Sequence, residues 1–269
     1  MYSPLRLAGK YLHYYLTAAN GKGHGIHSPF VFDFVTKVLP HRHRYPAYDA
    51  IEDLRRRLRN DPTMLEIEDF GAGSTRNKTR GVSKDARSVS DLARHAAKPP
   101  RLGQLLFRVA GHYQPATMLE LGTSLGLSTA YLAAGAPQSR LHTIEGAPAV
   151  AAKAKANLRE LDIDAGLITG NFDTVLPSLL AAIPPVDLAF IDGNHRLEPT
   201  LSYFDLLARH AARPSILIFD DIHWSAEMEK AWTAIKDDPR VYLTIDLFFI
   251  GFVFFREEFR IKQHFIIRF

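Results

Sequence analysis

Five polar clusters in this chain combine residue types and spacing that could do chemistry together. The first lies in Met118-Leu119-Glu120-Leu121-Gly122-Thr123-Ser124-Leu125-Gly126-Leu127-Ser128-Thr129. A short apolar run there meets a turn holding Gly122 and Gly126, and a helix begins at Ser128. Glycine at a strand end supplies backbone angles that other residues resist and lets a bulky ligand approach the main chain. The helix N-terminus beyond it presents unpaired N–H groups. The second cluster is Glu145, which closes the run Leu141-His142-Thr143-Ile144 and falls 23 residues after Gly122. An acid at that distance from a glycine turn is where nucleotide-binding α/β folds accept ribose hydroxyls. Gly170-Asn171-Phe172-Asp173, Asp192 to His195 and Asp220-Asp221 are the other three. Asp192, Asp220 and Asp221 could meet around one hard cation. Oxygen ligands in a chain without cysteine favour Mg²⁺, or Mn²⁺ or Ca²⁺, over zinc. The same acids could instead cap the turns that follow them.

These clusters have a common address if the elements are read in order. Strands are expected at 117–121, 140–144, 165–169, 187–191, 215–219, 241–246 and 248–255, with helices at 128–135, 148–161, 173–182, 198–211 and 225–237. Strand–helix alternation predicts a parallel sheet covered on both faces. Ligands of such sheets bind beyond the C-terminal ends of the strands, where all five clusters fall. The last two strands are almost contiguous, so they form an antiparallel hairpin or one bent strand. The tail, 261–269, could add a further edge strand.

The first hundred residues follow a different pattern. Residues 4–19 have near-helical apolar spacing, ended by the glycines of Asn20-Gly21-Lys22-Gly23-His24-Gly25. Ser28-Pro29 reads as an N-cap followed by proline in the first helical turn, with Phe30, Val31, Phe34, Val35, Val38 and Leu39 on one face behind it. A third helix, about 47–60, carries Arg55-Arg56-Arg57 and Arg59, read as an exposed face. The polar, Gly-rich stretch from about 69 to 90 is expected to be a mobile flap near a ligand entrance. Gly71-Ala72-Gly73-Ser74 imitates a phosphate loop, but no Lys-Ser/Thr follows it. Two further helices, about 89–97 and 101–113, lead into the first central strand.

Composition narrows the classes. Of 269 residues, 46% are hydrophobic and 23% charged, which is ordinary for a globular protein. With no cysteine, disulfide frameworks and thiolate chemistry are excluded. The longest apolar run, Leu247 to Phe255, is nine residues, too short for a membrane-spanning helix. The first residues lack the apolar core of a secretory signal, so a cytoplasmic location and no membrane partner are expected. Net charge is +4, unevenly spread: residues 1–110 hold 19 Lys and Arg against 10 acids, and residues 111–269 hold 14 against 19. A solvated face is the favoured reading of that asymmetry. The basic part lacks the density and aromatic interleaving of a nucleic-acid module.

Leu119-Glu120-Leu121-Gly122-Thr123-Ser124-Leu125-Gly126, then Ile144-Glu145, Phe190-Ile191-Asp192-Gly193 and Phe219-Asp220-Asp221 resemble the class I S-adenosylmethionine-dependent methyltransferases. The likeness covers about residues 100–255 and is greatest to the catechol O-methyltransferase-like and sugar O-methyltransferase groups. It implies a doubly wound, mostly parallel, seven-stranded Rossmann-like sheet with an antiparallel edge hairpin. It divides the chain into an N-terminal helical extension, 1–100, and a cofactor-binding domain, 101–269.

The resemblance also implies roles. S-adenosylmethionine would lie against Glu120, Gly122, Thr123, Ser124, Gly126 and Ser128 at its methionine end. Glu145 would hold the ribose, and Asn171 and Phe172 the adenine; Asp192 borders the cofactor. The metal would be held by Asp192, Asp220 and Asp221. Asp221 stands where the catechol-type pattern has Asn, as in the sugar-methyltransferase variant. His195, three residues after Asp192, occupies a basic position and is the expected general base, with Asp192 the other catalytic residue. His223 and Trp224 are candidate substrate-pocket residues. The implied reaction is methylation of a hydroxyl oxygen on a small molecule with divalent-metal help, by a protein that could be a homodimer. Three other readings stay open: metal-independent methylation of a nitrogen or carboxylate, a cofactor-binding scaffold without activity, and a nucleic-acid enzyme using the basic N-terminal part. The last is disfavoured because the fourth strand lacks the Asn/Asp-Pro-Pro-Tyr/Phe motif of many N-methyltransferases.

Overall fold

The computed structural model of the chain describes residues 1–21, 23, 26–40, 43–69 and 83–269. Helices α1 (Pro4–Thr17) and α2 (Pro29–Asp33) come first, and a π-helical turn, Phe34–Val38, continues α2. Next come α3 (Pro46–Leu58), a hairpin of β1 (Met64–Asp69) and β2 (Ser83–Ser88), then α4 (Val89–His95) and α5 (Pro100–Tyr113). Strand and helix then alternate: β3 (Thr117–Leu121), α6 (Leu127–Gly135), β4 (Arg140–Glu145), α7 (Pro148–Glu160), β5 (Gly166–Thr169), α8 (Phe172–Ala182) and β6 (Val186–Ile191). They continue as α9 (Leu197–His210), β7 (Ala211–Asp220), α10 (Ala226–Asp237), β8 (Leu243–Asp246), β9 (Ile250–Phe255) and β10 (Gln263–Ile266). The alternation expected from residue 117 is therefore present, and the tail does form a strand. No helix among the described residues is long and apolar enough to cross a membrane.

Two compact units divide these elements. One runs from His41 to Pro184; the other joins Met1–Pro40 to Pro185–Phe269. In the first unit β4 pairs in parallel with both β3 and β5. Every residue of β3 is buried, as an apolar strand covered on both faces requires. Tyr48, Ile51, Leu54 and Leu58 of α3 follow helical spacing and pack with Phe107, Leu127, Ala130 and Tyr131.

That packing corrects the reading of the arginine run. Arg55 lies on the inner stripe and is only 5% exposed, its Nε 2.9 Å from Glu52 Oε1. The Tyr131 hydroxyl donates to the same carboxylate oxygen at 2.7 Å. Burial and that bond together raise the Tyr131 phenol above its ordinary range. Arg56 and Arg57 remain outside and pair with Asp53 and Glu160. Arg55→Ala leaves the half-buried Glu52 carboxylate without its cation and empties a packed position, so it is expected to cost about 2 kcal/mol in urea unfolding. Arg56→Ala, whose side chain is 73% exposed, should leave the unfolding midpoint unchanged.

The hairpin was not expected. Ser83–Ser88 is a strand inside the stretch read as a flap, whereas the helix Val89–His95 is the one expected at about 89–97; residues 70–82 lie outside the described residues. Met64 pairs with Ser88 and Asp69 with Ser83 across an antiparallel register.

In the second unit the strand order is β10-β8-β9-β7-β6. β6 and β7 are parallel, whereas β9 runs antiparallel to β7 on one side and β8 on the other. The closing hairpin is thus present, and β10 adds to its outer edge in parallel with β8. The Ser28 side chain accepts from the Val31 N–H, so the expected cap is real. Behind it Val31, Phe34, Val35 and Val38 are fully buried, and Phe34 meets Phe252 edge-on at 5.2 Å. Helix α1 buries Tyr14 and Ala18 with Phe248, and the Tyr14 hydroxyl donates to the Ile267 carbonyl at 2.5 Å.

Candidate active site

In the His41–Pro184 unit, the turn after β3 is built by backbone hydrogen bonding to β4. Gly122 N–H and Thr123 N–H both reach the Ile144 carbonyl, at 3.0 and 3.3 Å. This needs φ of +101° at Gly122, and the turn closes with +82° at Gly126, the residue that caps α6. Both angles lie in the region that side chains resist, which is why glycine stands at each position. Ser124 also takes a left-handed φ, +48°.

Glu145 holds this turn from the next strand. One carboxylate oxygen accepts from Ser124 N–H at 2.8 Å and the other from Ala147 N–H at 3.0 Å. The two bonds fix the carboxylate beside the glycine turn. Gly170 N–H donates to the Glu145 carbonyl at 2.9 Å, so the turn after β5 joins the same corner. Asn171 caps α8 by accepting from Asp173 N–H at 2.8 Å, and Phe172 opens that helix. Ser128, in the first turn of α6, is 8% exposed.

Glu120 and Thr123 sit behind this surface and are fully buried. The Glu120 carboxylate accepts from the hydroxyls of Thr129 and Thr143, and the Thr143 and Thr123 hydroxyls lie 2.6 Å apart. Glu120 therefore ties β3, β4 and α6 together beneath the turn. Sequence reading missed Thr129 and Thr143 as its partners: threonine in a strand is ordinarily explained by β propensity, and Thr129, inside α6, gives no local sign that it faces a buried acid.

In the unit that includes residues 185–269, the chemistry lies after β6 and β7. Asp192, His195 and Asp220 converge: one ligand atom from each lies within 4.8 Å of the others. His195 Nε2 is 3.4 Å from Asp192 Oδ1, and Asp220 is 1% exposed. The converging set differs from the expected one, since His195 takes the place that Asp221 was expected to fill. Asp221 is half-buried; its N–H donates to the Phe249 carbonyl at 2.7 Å. Asn194, His195 and Asp221 all have left-handed φ, +65°, +40° and +54°. Such backbone strain in non-glycine residues collects where a loop must aim a functional group.

Two buried carboxylates close together repel unless positive charge lies between them. The two carboxylates are donors that a divalent cation such as Mg²⁺ or Mn²⁺ accepts, and an imidazole beside them suits Mn²⁺ better than Mg²⁺. By its donor chemistry the set fits the implied metal.

The His223 ring is already committed. Its Nε2 is 2.7 Å from Asp246 Oδ2 and its Nδ1 3.2 Å from Glu229 Oε1, with Phe248 stacked on the ring at 5.2 Å. Burial opposes its charged form, but the two carboxylates outweigh burial and raise its pKa. Trp224 lies against His195, ring centroids 5.8 Å apart. A separate cavity of about 500 Å³, lined by His43, Arg44, Asp49, Glu52, Asp53 and Arg56 among others, contains none of the expected site residues.

Comparison with known proteins places these features. Residues 119–222 match the family described as "Methyltransferase domain". The chain is 34% identical over 146 residues to a catechol O-methyltransferase of Mycobacterium tuberculosis, covering 51% of this chain and 64% of that protein. It is 35% identical over 162 residues to one of Niastella koreensis, covering 59% and 68%. The chain thus spans about two thirds of the length of these two relatives. The solved structure of cofactor-bound Rv0187 from MTB shares the fold, with a TM-score of 0.59, 22% identity and coverage of 85% of this chain and 96% of that one. An acid-anchored glycine turn, carboxylates at the ends of β6 and β7 and these relatives together place the chain in the class I S-adenosylmethionine-dependent methyltransferases of catechol O-methyltransferase type.

Proposed function

We propose that this protein transfers the methyl group of S-adenosylmethionine to a hydroxyl oxygen of a small molecule, with a divalent cation held by Asp192 and Asp220. The observation that carries the reading is the convergence of Asp192, His195 and Asp220 at the ends of β6 and β7. Residues 101–269 supply all of this chemistry, and residues 1–100 form the extension. Gly122 to Ser128 and Glu145 bind the cofactor, with Asn171 and Phe172 at its adenine. Glu145 is the ribose acceptor, its carboxylate already oriented by two backbone N–H groups. A bound cation supplies Lewis acidity that lowers the pKa of a substrate hydroxyl. His195 takes the proton from that hydroxyl as the oxygen–methyl bond forms. The sulfur–methyl bond breaks with its electron pair left on sulfur, giving S-adenosylhomocysteine. The remaining barrier is alignment of oxygen, methyl carbon and sulfur.

A second role for His195, as third ligand, is favoured by its place in the converging set. Calorimetric titration with S-adenosylhomocysteine and with Mn²⁺ tests the scheme. Wild type should bind both. As a base only, His195→Ala should change Mn²⁺ affinity less than about threefold while methyl transfer falls about 10²-fold or more. As a ligand, the same variant should lose Mn²⁺ affinity about tenfold or more. Failure of the wild type to bind S-adenosylhomocysteine would sink the methyltransferase reading.

A further inference from the structure

We infer that helix α1 positions the proposed catalytic imidazole, acting from Tyr2 and Lys10 through Glu229, His223 and Trp224. The inference rests on the O-methyl transfer reading above. Two routes run from the helix to His195, both within the unit that joins Met1–Pro40 to Pro185–Phe269.

The first route is direct. Tyr2 N–H donates to the Trp224 carbonyl at 3.0 Å, and Trp224 N–H donates to the Asp221 carbonyl at 3.0 Å. The Trp224 ring lies against His195. The short segment carrying Asp220, Asp221 and Trp224 is therefore pinned at its far end by Tyr2, which precedes the α1 N-cap Ser3. Its near end is held by Asp221 N–H on the Phe249 carbonyl. Between those two pins Asp221 keeps a strained left-handed φ, a conformation that persists only when its surroundings impose it.

The second route is a charged chain. Glu229 accepts from the Tyr2 hydroxyl at 2.6 Å and from Lys10 Nζ at 2.8 and 3.1 Å. Its Oε1 also faces His223 Nδ1, while His223 Nε2 faces Asp246. Asp246 in turn accepts from Trp232 Nε1 at 3.1 Å and from Phe248 N–H at 2.8 Å. His223 is the residue before Trp224. Lys10 and Tyr2 thus fix the carboxylate that fixes the imidazole that holds the loop. None of Tyr2, Lys10, Glu229 or Asp246 belongs to the converging set, so their part is positioning rather than contact with reacting atoms.

The test uses the full chain labelled with 5-fluorotryptophan, the Trp224 resonance being assigned by its loss in Trp224→Phe. Activity is read with 3,4-dihydroxybenzoate as probe acceptor at saturating S-adenosylmethionine and Mg²⁺. The Tyr2→Phe/Lys10→Met double variant is expected to lower kcat about tenfold, a loss in keeping with a sub-ångström misplacement of the base. Acceptor KM and S-adenosylhomocysteine affinity should stay within about threefold of wild type, and the Trp224 resonance should move. Lys10→Arg, which keeps a cation on Glu229, should return kcat to within twofold. A merely structural role would lower the melting temperature and leave kcat and the Trp224 resonance at wild-type values; either one unmoved overturns the inference. If the wild type methylates nothing, the functional reading fails on that count, and the Trp224 resonance alone decides the positioning.

Discussion

Glu145→Ala is expected to weaken S-adenosylhomocysteine binding about 100-fold, measured by calorimetry on the otherwise intact chain. Two charge-assisted hydrogen bonds from the carboxylate to the ribose hydroxyls would be lost. At about 1.5 kcal/mol each, the low end for such bonds, they amount to about 3 kcal/mol, or two decades in Kd. The structure adds a second cost. The same carboxylate accepts Ser124 N–H and Ala147 N–H, so its removal also unpins the glycine turn. Glu145→Gln keeps one acceptor oxygen and should lose about tenfold. Affinity within threefold of wild type for Glu145→Ala would show that the cofactor lies elsewhere.

Asp220→Asn is expected to reduce methyl transfer about 10³-fold while S-adenosylhomocysteine affinity stays within about threefold. The substitution is isosteric at a side chain that is 1% exposed, so the fold should persist and the loss is chemical. It removes one of the two carboxylates that Asp192 and Asp220 bring together, and with it half of the negative charge proposed to hold the cation. Mn²⁺ affinity, followed by calorimetry, should fall in parallel. Transfer within tenfold of wild type would exclude a role for the Asp192–His195–Asp220 set in the reaction. Asp221→Asn provides the contrast: its side chain is outside that set, and a loss of less than about tenfold is expected.

Much of the sheet could be read without coordinates because its signals are local. The run Met118–Leu121 is apolar and bounded by Gly122, and β3 ends at Leu121 as that boundary requires. Ser28-Pro29 announces a helix start through the cap chemistry of two adjacent residues. Hairpin β1–β2 carried no such signal. Its second strand, Ser83–Ser88, has Ala86 as its one apolar residue and no alternation, and the first, Met64–Asp69, alternates only over the four residues Leu65 to Glu68. Arg55 misled for a related reason. Charge predicts exposure, but Arg55 shares a helical stripe with Ile51, Leu54 and Leu58, and Glu52 with Tyr131 makes its burial tolerable.

The candidate site divides in the same way. Strand ends, glycine turns and the order of Glu145, Asp192 and Asp220 follow from residue types and spacing, which are properties of adjacent residues. Which groups converge does not follow from them. Asp220 and Asp221 are neighbours with the same side chain, yet Asp220 closes β7 and points into the group with Asp192 and His195. Asp221, on a left-handed backbone held by Phe249, lies outside that group. Likewise His195 and His223 are alike as residues. The fold leaves His195 beside Asp192 and places His223 between Glu229 and Asp246. The sequence by itself determined the strand–helix order, the glycine turn and the family. Tertiary structure alone decided which acid and which imidazole converge and what the N-terminal residues contact, because those outcomes depend on contacts between residues as far apart as Tyr2 and Glu229.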